Sequence, residues 1–189
     1  MSRRLTVIKI GGSLAGIPGA LDRVCTVVAD AGRAVSIVVV PGGGPFADGV
    51  RAFDRAHRLS HDSAHWMALL AMDQYAHVLL ERIGGSVMVE EAGAVGPAVT
   101  PAGVAVLAPS RWMRAADVLP HTWEATSDSV AAFVAGALDA ARLVLIKPAA
   151  GTDDLVDECF HAVLPAGLPC TFLHWETVDE LPGLLAGRS

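Results

Sequence analysis

Lysine is nearly missing from this chain. Lys9 and Lys147 are the only two among 189 residues, and the formal net charge is -6. No lysine-arginine run or basic helix face is present, which excludes a general nucleic-acid binder. Cysteine is scarce too. Cys25, Cys159 and Cys170 are widely spaced, odd in number and without any CxxC pair. That excludes a disulfide framework and a cysteine zinc site, and it fits a reduced, cytoplasmic protein. Long hydrophobic runs are lacking as well. The opening "MSRRLTVIKI" sets two arginines before an apolar run, but Lys9 and two glycines cut it too short for a signal peptide. Ala92–Ser110 carries no charge, yet Gly93, Gly96, Pro97, Pro101, Gly103 and Pro109 interrupt it. It reads as a hairpin region and not as a membrane helix.

Apolar residues make up 52% of the chain and charged residues 18%, so it folds around a real core. The length fits one domain. The high apolar share fits a subunit interface, hence a homo-oligomer.

Short β-branched runs at Leu5–Ile10, Ala34–Val40 and Arg142–Lys147 predict buried strands. Ser86–Glu90, Val104–Leu107 and Cys170–His174 read as further strands. Helical spacing covers Pro18–Ala31, about Phe46–His57, about Asp62–Ile83, Arg111–Ala116, Ser127 to about Ala141, and Val178–Leu185. Ser60 or Asp62 can cap the third of these, and Thr126 or Ser127 the fifth. Met67, Leu70, Ala71 and Met72 read as helix core. Strands alternate with helices, which predicts an α/β fold with a mostly parallel sheet covered on both faces.

In such a sheet, ligands bind beyond the carboxyl ends of the strands. Lys9, Gly11, Gly12 and Ser13 follow the first strand, Gly42, Gly43 and Gly44 the second, and Lys147 ends a later one. Glycine lets the backbone approach a ligand, and successive N–H groups at a helix start favour an anion. Two glycine loops can hold a polyphosphate while two lysines neutralise a phosphoryl group in transfer. Neither loop is a Walker A or a GxGxxG motif. Each feature has a blander reading, as a tight turn or a snorkelling lysine. Their occurrence together, with no other lysine, favours phosphate.

Asp128 in "TSDS" stands in a helix's first turn, where a carboxylate is either an ordinary dipole partner or an organiser of the lysines or Mg²⁺. His57, His61 and His65 stand four residues apart. They could hold a metal, line a substrate pocket or serve the surface; a turn and the missing carboxylate weigh against metal. His121 and Trp123 supply rings for stacking on a flat substrate or for packing. Asp153, Asp154, Asp157 and Glu158 read as a solvated acidic turn.

"VIKIGGSL", "VVVPGGGPFADGVR", "TSDSVAAFVA" and "LVLIK…LVDECF" together resemble the amino acid kinase superfamily. The resemblance implies an αβα sandwich around a mainly parallel sheet, in a single domain over residues 1–189. About 1–120 would bind a phosphorylated small-molecule acceptor and about 121–189 ATP with Mg²⁺. By the same resemblance Lys9 and Lys147 stabilise the transferring phosphoryl group, Asp128 organises them, and Gly11, Gly12, Gly43 and Gly44 bind phosphates through backbone N–H groups. "HDSAHWMALLAMDQYAHVLLE" and "LPHTWEATSDS" resemble a shorter subgroup, the aminomethyl-furanmethyl phosphate kinases of methanofuran-type cofactor synthesis. That likeness places Asp62, His65 and Trp123 near the acceptor. Carboxylate kinases, UMP kinase-like enzymes and non-catalytic molybdenum storage proteins share the scaffold and stand as alternatives. Asp154 occupies a place where the superfamily has glycine, which implies an altered adenine site.

Overall fold

Every residue of β1 (Thr6–Ile10) and β2 (Ser36–Pro41) is buried, as apolar β-branched runs covered on both faces should be. The computed structural model describes residues 5–148 and 156–187. Asp153 and Asp154 therefore lie outside the described residues. With β3 (Val87–Val89), β4 (Gly103–Leu107), β5 (Arg142–Lys147) and β6 (Cys170–His174), the first two strands form one sheet in the order β3-β4-β2-β1-β5-β6. All its pairings are parallel. The helices in chain order are α1 (Ala20–Gly32), α2 (Gly44–His57), α3 (His61–Arg82), α4 (Ala92–Ala98), α5 (Ser110–Ala116), α6 (Ser127–Ala137), α7 (Phe160–Val163) and α8 (Leu181–Ala186). The expected αβα sandwich is present, with a sheet that is wholly parallel.

The two-residue side-chain period divides the sheet into two cores. Ile8, Ile10, Val144 and Ile146 pack with Val24 and Val28 of α1 and Leu181 of α8. Val7, Leu143 and Leu145 pack with Val130, Ala131 and Val134 of α6. Helix α3 contributes to both, through Tyr75 and Leu79 on one side and Leu69 and Met72 on the other. Of the residues expected in its core, Ala71 and Met72 are buried, but Leu70 is 48% exposed. Leu69 holds the inward position instead. Ser60 caps α3, its hydroxyl accepting the Ser63 N–H at 3.2 Å.

The expected hairpin over Ala92–Ser110 is not formed. β3 and β4 run parallel, and α4 lies between them as the crossover. A parallel pair cannot be closed by a tight turn, and the alanine-rich run supplies the helix the connection needs. Helix α6 also stops at Ala137, before about Ala141, because Asp139 turns left-handed at φ 49°. No helix among the described residues is long and apolar enough to cross a membrane.

Chain order sets the position of the site. From β1 the sheet grows through β2 to one side, and β5 later takes its place on the other. The carboxyl ends of β1, β2 and β5 thus flank the topological switch point, where α/β sheets bind ligands.

Candidate active site

Lys9 pairs in register with Leu145, two residues before Lys147. The pleat therefore puts both lysines on the same face of neighbouring strands. Helix α6 covers that face and lowers Asp128 between them. Asp128 Oδ1 lies 2.9 Å from Lys9 Nζ, and Oδ2 lies 2.5 Å from Lys147 Nζ. The Lys147 contact is a hydrogen bond. The Lys9 contact is an ion pair out of hydrogen-bond alignment, and Oδ1 has no hydrogen-bond partner among the described residues. All three side chains are buried. Burial pushes the Asp128 carboxyl up, but the charges of Lys9 and Lys147 outweigh it and hold the group below the usual carboxylate value. Burial lowers Lys147, the neighbouring Lys9 charge lowers it further, and Asp128 offsets only part of this.

The glycine loops press backbone on backbone beside this triad. A Cβ on Gly12 would lie 2.2 Å from the Gly44 nitrogen, and one on Gly42 would lie 2.3 Å from the Gly12 nitrogen. Gly44 also holds φ +56°, with its α-carbon against the Tyr75 ring. Two of the expected phosphate donors are occupied. The Gly11 N–H donates to the Ile146 carbonyl at 3.1 Å, and the Gly42 N–H donates to the Ile10 carbonyl at 2.8 Å. These two glycines extend the sheet, whereas Gly12, Ser13, Gly43 and Gly44 line a cleft.

Asp128 is aimed by a residue the sequence concealed. Asp157 accepts the Thr126 N–H at 2.9 Å, the Thr126 hydroxyl at 2.7 Å, the Ser129 N–H at 3.0 Å and the Ser129 hydroxyl. It therefore caps α6 from 28 residues away. Neither Thr126 nor Ser127 caps the helix with its own side chain. The acidic turn expected at Asp157 is in this respect a structural clamp.

The cleft of about 230 Å³ runs from the glycine loops to α3 and the loop before α6. His65 and Trp123 line it. So does Arg51, which sequence reasoning passed over; its place seven residues after Gly44 on α2 was the available signal. The Arg51 guanidinium sits 4.8 Å from the centre of the Trp123 ring and pairs with Asp48 at 3.2 Å. Asp62 does not line the cleft. It is 76% exposed and binds His121 Nδ1 at 2.7 Å, while Asp117 takes Nε2 at 2.9 Å. The two carboxylates raise His121 above the ordinary imidazole value. His121 stacks on His65, with ring centres 4.3 Å apart and 16° between planes. His57 and His61 lie on different helices from one another, and among the described residues no group of three or more potential ligands comes together.

The amino acid kinase family matches residues 4–108. Over 148 residues the chain is 30% identical to the (5-(aminomethyl)furan-3-yl)methyl phosphate kinase of Methanocaldococcus jannaschii, covering 78% of this chain and 68% of that protein. The fold resembles UMP kinase from Bacillus anthracis with a TM-score of 0.71 at 10% identity, over 100% of this chain and 94% of that one. It resembles uridylate kinase from Archaeoglobus fulgidus with a TM-score of 0.61 at 15% identity, over 79% of this chain and 65% of that one. The chain thus spans less than two thirds of the Archaeoglobus enzyme.

Proposed function

The chain is a kinase of the amino acid kinase family, and from that premise we propose that it transfers the terminal phosphoryl group of ATP to an aminomethyl-furanmethyl phosphate. The products are the diphosphate and ADP. The observation that carries this reading is the convergence of Lys9 and Lys147 on Asp128 at the carboxyl edge of the sheet. Holding two ammonium groups together in a buried site is unfavourable unless an anion shares it. A phosphoryl group in transfer is such an anion, with its charge spread over three oxygens.

An acceptor phosphate oxygen attacks the γ-phosphorus of ATP, and the bond to the β,γ-bridging oxygen breaks in line. The bridging electrons leave with ADP. No protein nucleophile is needed. Lys9 and Lys147 meet the developing charge, and Asp128 fixes their positions. Gly12, Ser13, Gly43 and Gly44 hold the acceptor phosphate with Arg51, which lines the same cleft. The furan ring lies against Trp123 and His65. In this reading the acceptor half reaches past residue 120, since Trp123 and Thr126 line its cleft.

A wider cleft beside Asp128 also carries Glu124, Asp157 and Glu158. Asp128 is engaged by the lysines and Asp157 by four donors, which leaves the exposed Glu124 and Glu158. That set fits a Mg²⁺ retaining mostly water and phosphate ligands, and poorly fits an all-protein cage. When bound with ATP, Mg²⁺ neutralises phosphate charge.

The test is ATP consumption with Mg²⁺ against a panel of the furan phosphate, UMP, acetylglutamate and aspartate. Turnover with the furan phosphate is expected. Turnover with UMP alone, or an acyl phosphate trapped by hydroxylamine, would replace the acceptor assigned here. Stoichiometric molybdenum or tungsten with no turnover would indicate a storage role.

A further inference from the structure

Behind the acceptor cleft lies a second cavity of about 150 Å³. The two share His65, Ala68, Trp123 and Ala125 as a common wall. The smaller cavity adds Asp54, His61 and His121. Asp54 is the carboxylate in its lining. Asp54 takes the Trp123 indole N–H at 2.9 Å on Oδ2 and the Leu59 N–H at 3.0 Å on Oδ1. A carboxylate has about four lone-pair sites, so each oxygen retains capacity.

His65 is nine-tenths buried and makes no hydrogen bond among the described residues. Burial and its neighbour His121 both bear on its protonation. His121 presents Nδ1 to Asp62 and Nε2 to Asp117. Both nitrogens can donate to carboxylates only as the imidazolium. Burial disfavours the charged form of His65, the His121 ring stacked on it adds to this, and Asp117 and Asp62 offset only part. Arg114 lies over Trp66 at 4.2 Å and adds a positive charge that also favours neutral His65, whereas Arg51 is paired with Asp48. A neutral His65 offers one lone pair into the cavity wall.

We propose that this second cavity is a subsite for a primary ammonium group on the acceptor, bound by Asp54 and by the neutral ring of His65. An ammonium has three donors and no acceptor, the complement of a carboxylate and an imidazole lone pair. His121, clamped by Asp62 and Asp117, is a positioning residue that keeps His65 in its accepting form. Trp123 joins the subsites: its ring walls both cavities while its N–H orients Asp54. The inference rests on the acceptor reading above and extends it to what selects the amine end.

The test is steady-state kinetics with ATP and two acceptors, the aminomethyl-furanmethyl phosphate and its hydroxymethyl counterpart. The wild type should favour the amine in kcat/KM. In Asp54→Asn that preference should fall by about 30-fold or more, chiefly through the KM of the amine, as expected when one partner of a desolvated charge pair is removed. His65→Leu should lower the same ratio, and it serves if Asp54→Asn does not fold. The amine KM of the wild type should rise as pH falls below the ordinary imidazole value of about 6.5, and this limb should vanish in His65→Leu. An unchanged ratio in folded, active variants overturns the subsite while leaving the kinase reading intact. No turnover of either furan compound by the wild type overturns both.

Discussion

Asp157 accepts the backbone N–H of Ser129 at 3.0 Å, joining the segment before α7 to the first turn of α6. The neighbouring residue in that turn is Asp128. Asp157→Ala should therefore act twice. Loss of the cap and of the groups it satisfies should cost about 2–3 kcal/mol in stability. The turnover number should also fall, because the first turn no longer fixes Asp128. Asp157→Asn, which keeps one accepting oxygen, should recover part of both. Urea denaturation alongside kcat measures the pair, and an Ala variant with wild-type kcat would remove Asp157 from the site.

The buried triad predicts opposite outcomes for its members. Asp128→Ala leaves two buried ammonium groups without their shared carboxylate and should cost about 3–5 kcal/mol. Lys9→Met relieves a like-charge contact and should stay within about 1 kcal/mol of the wild type. Its kcat should nonetheless drop by about 10²–10³, the usual loss when one transition-state donor is removed. Equal destabilisation by both changes would contradict the arrangement.

Alkaline titration should find Lys147 before it finds an ordinary lysine. Burial and the Lys9 charge both favour its neutral form. The neutral fraction therefore grows at lower pH than for an exposed lysine, and activity should decline on that alkaline limb. With only two lysines in the chain, side-chain NMR can follow Lys147 directly. In Lys9→Met the Lys147 transition should move to higher pH, since one cation has gone. A shift to lower pH would contradict the assigned cause.

Two glycines should respond in opposite directions to alanine. Gly12→Ala forces a methyl group to within 2.2 Å of the Gly44 backbone nitrogen, so the loops must part and activity should collapse. Gly49 lies inside α2, where a Cβ meets nothing within 4 Å. Gly49→Ala should stabilise the protein by about 0.5–1 kcal/mol through helix propensity. Thermal melting of both variants checks the contrast.

The sequence by itself determined the strands, the main helices and the ends where chemistry collects. Apolar β-branched runs have one good solution, a buried parallel strand. The two-residue period then commits Lys9 and Lys147 to one face once β1 and β5 are neighbours. Ser60 was legible as a cap because its partner lies three residues away. What the tertiary structure decided is long-range. Asp157 and Ser129, Asp54 and Trp123, and Asp62 and His121 are separated by 28, 69 and 59 residues. No local propensity distinguishes those carboxylates from solvated ones. The same holds for Gly11 and Gly42, whose N–H groups turn into the sheet and not toward a ligand. The direction of β4 was hidden for a related reason: pairing direction belongs to the whole sheet, and glycine and proline between two strands mark a break without saying which way the chain returns.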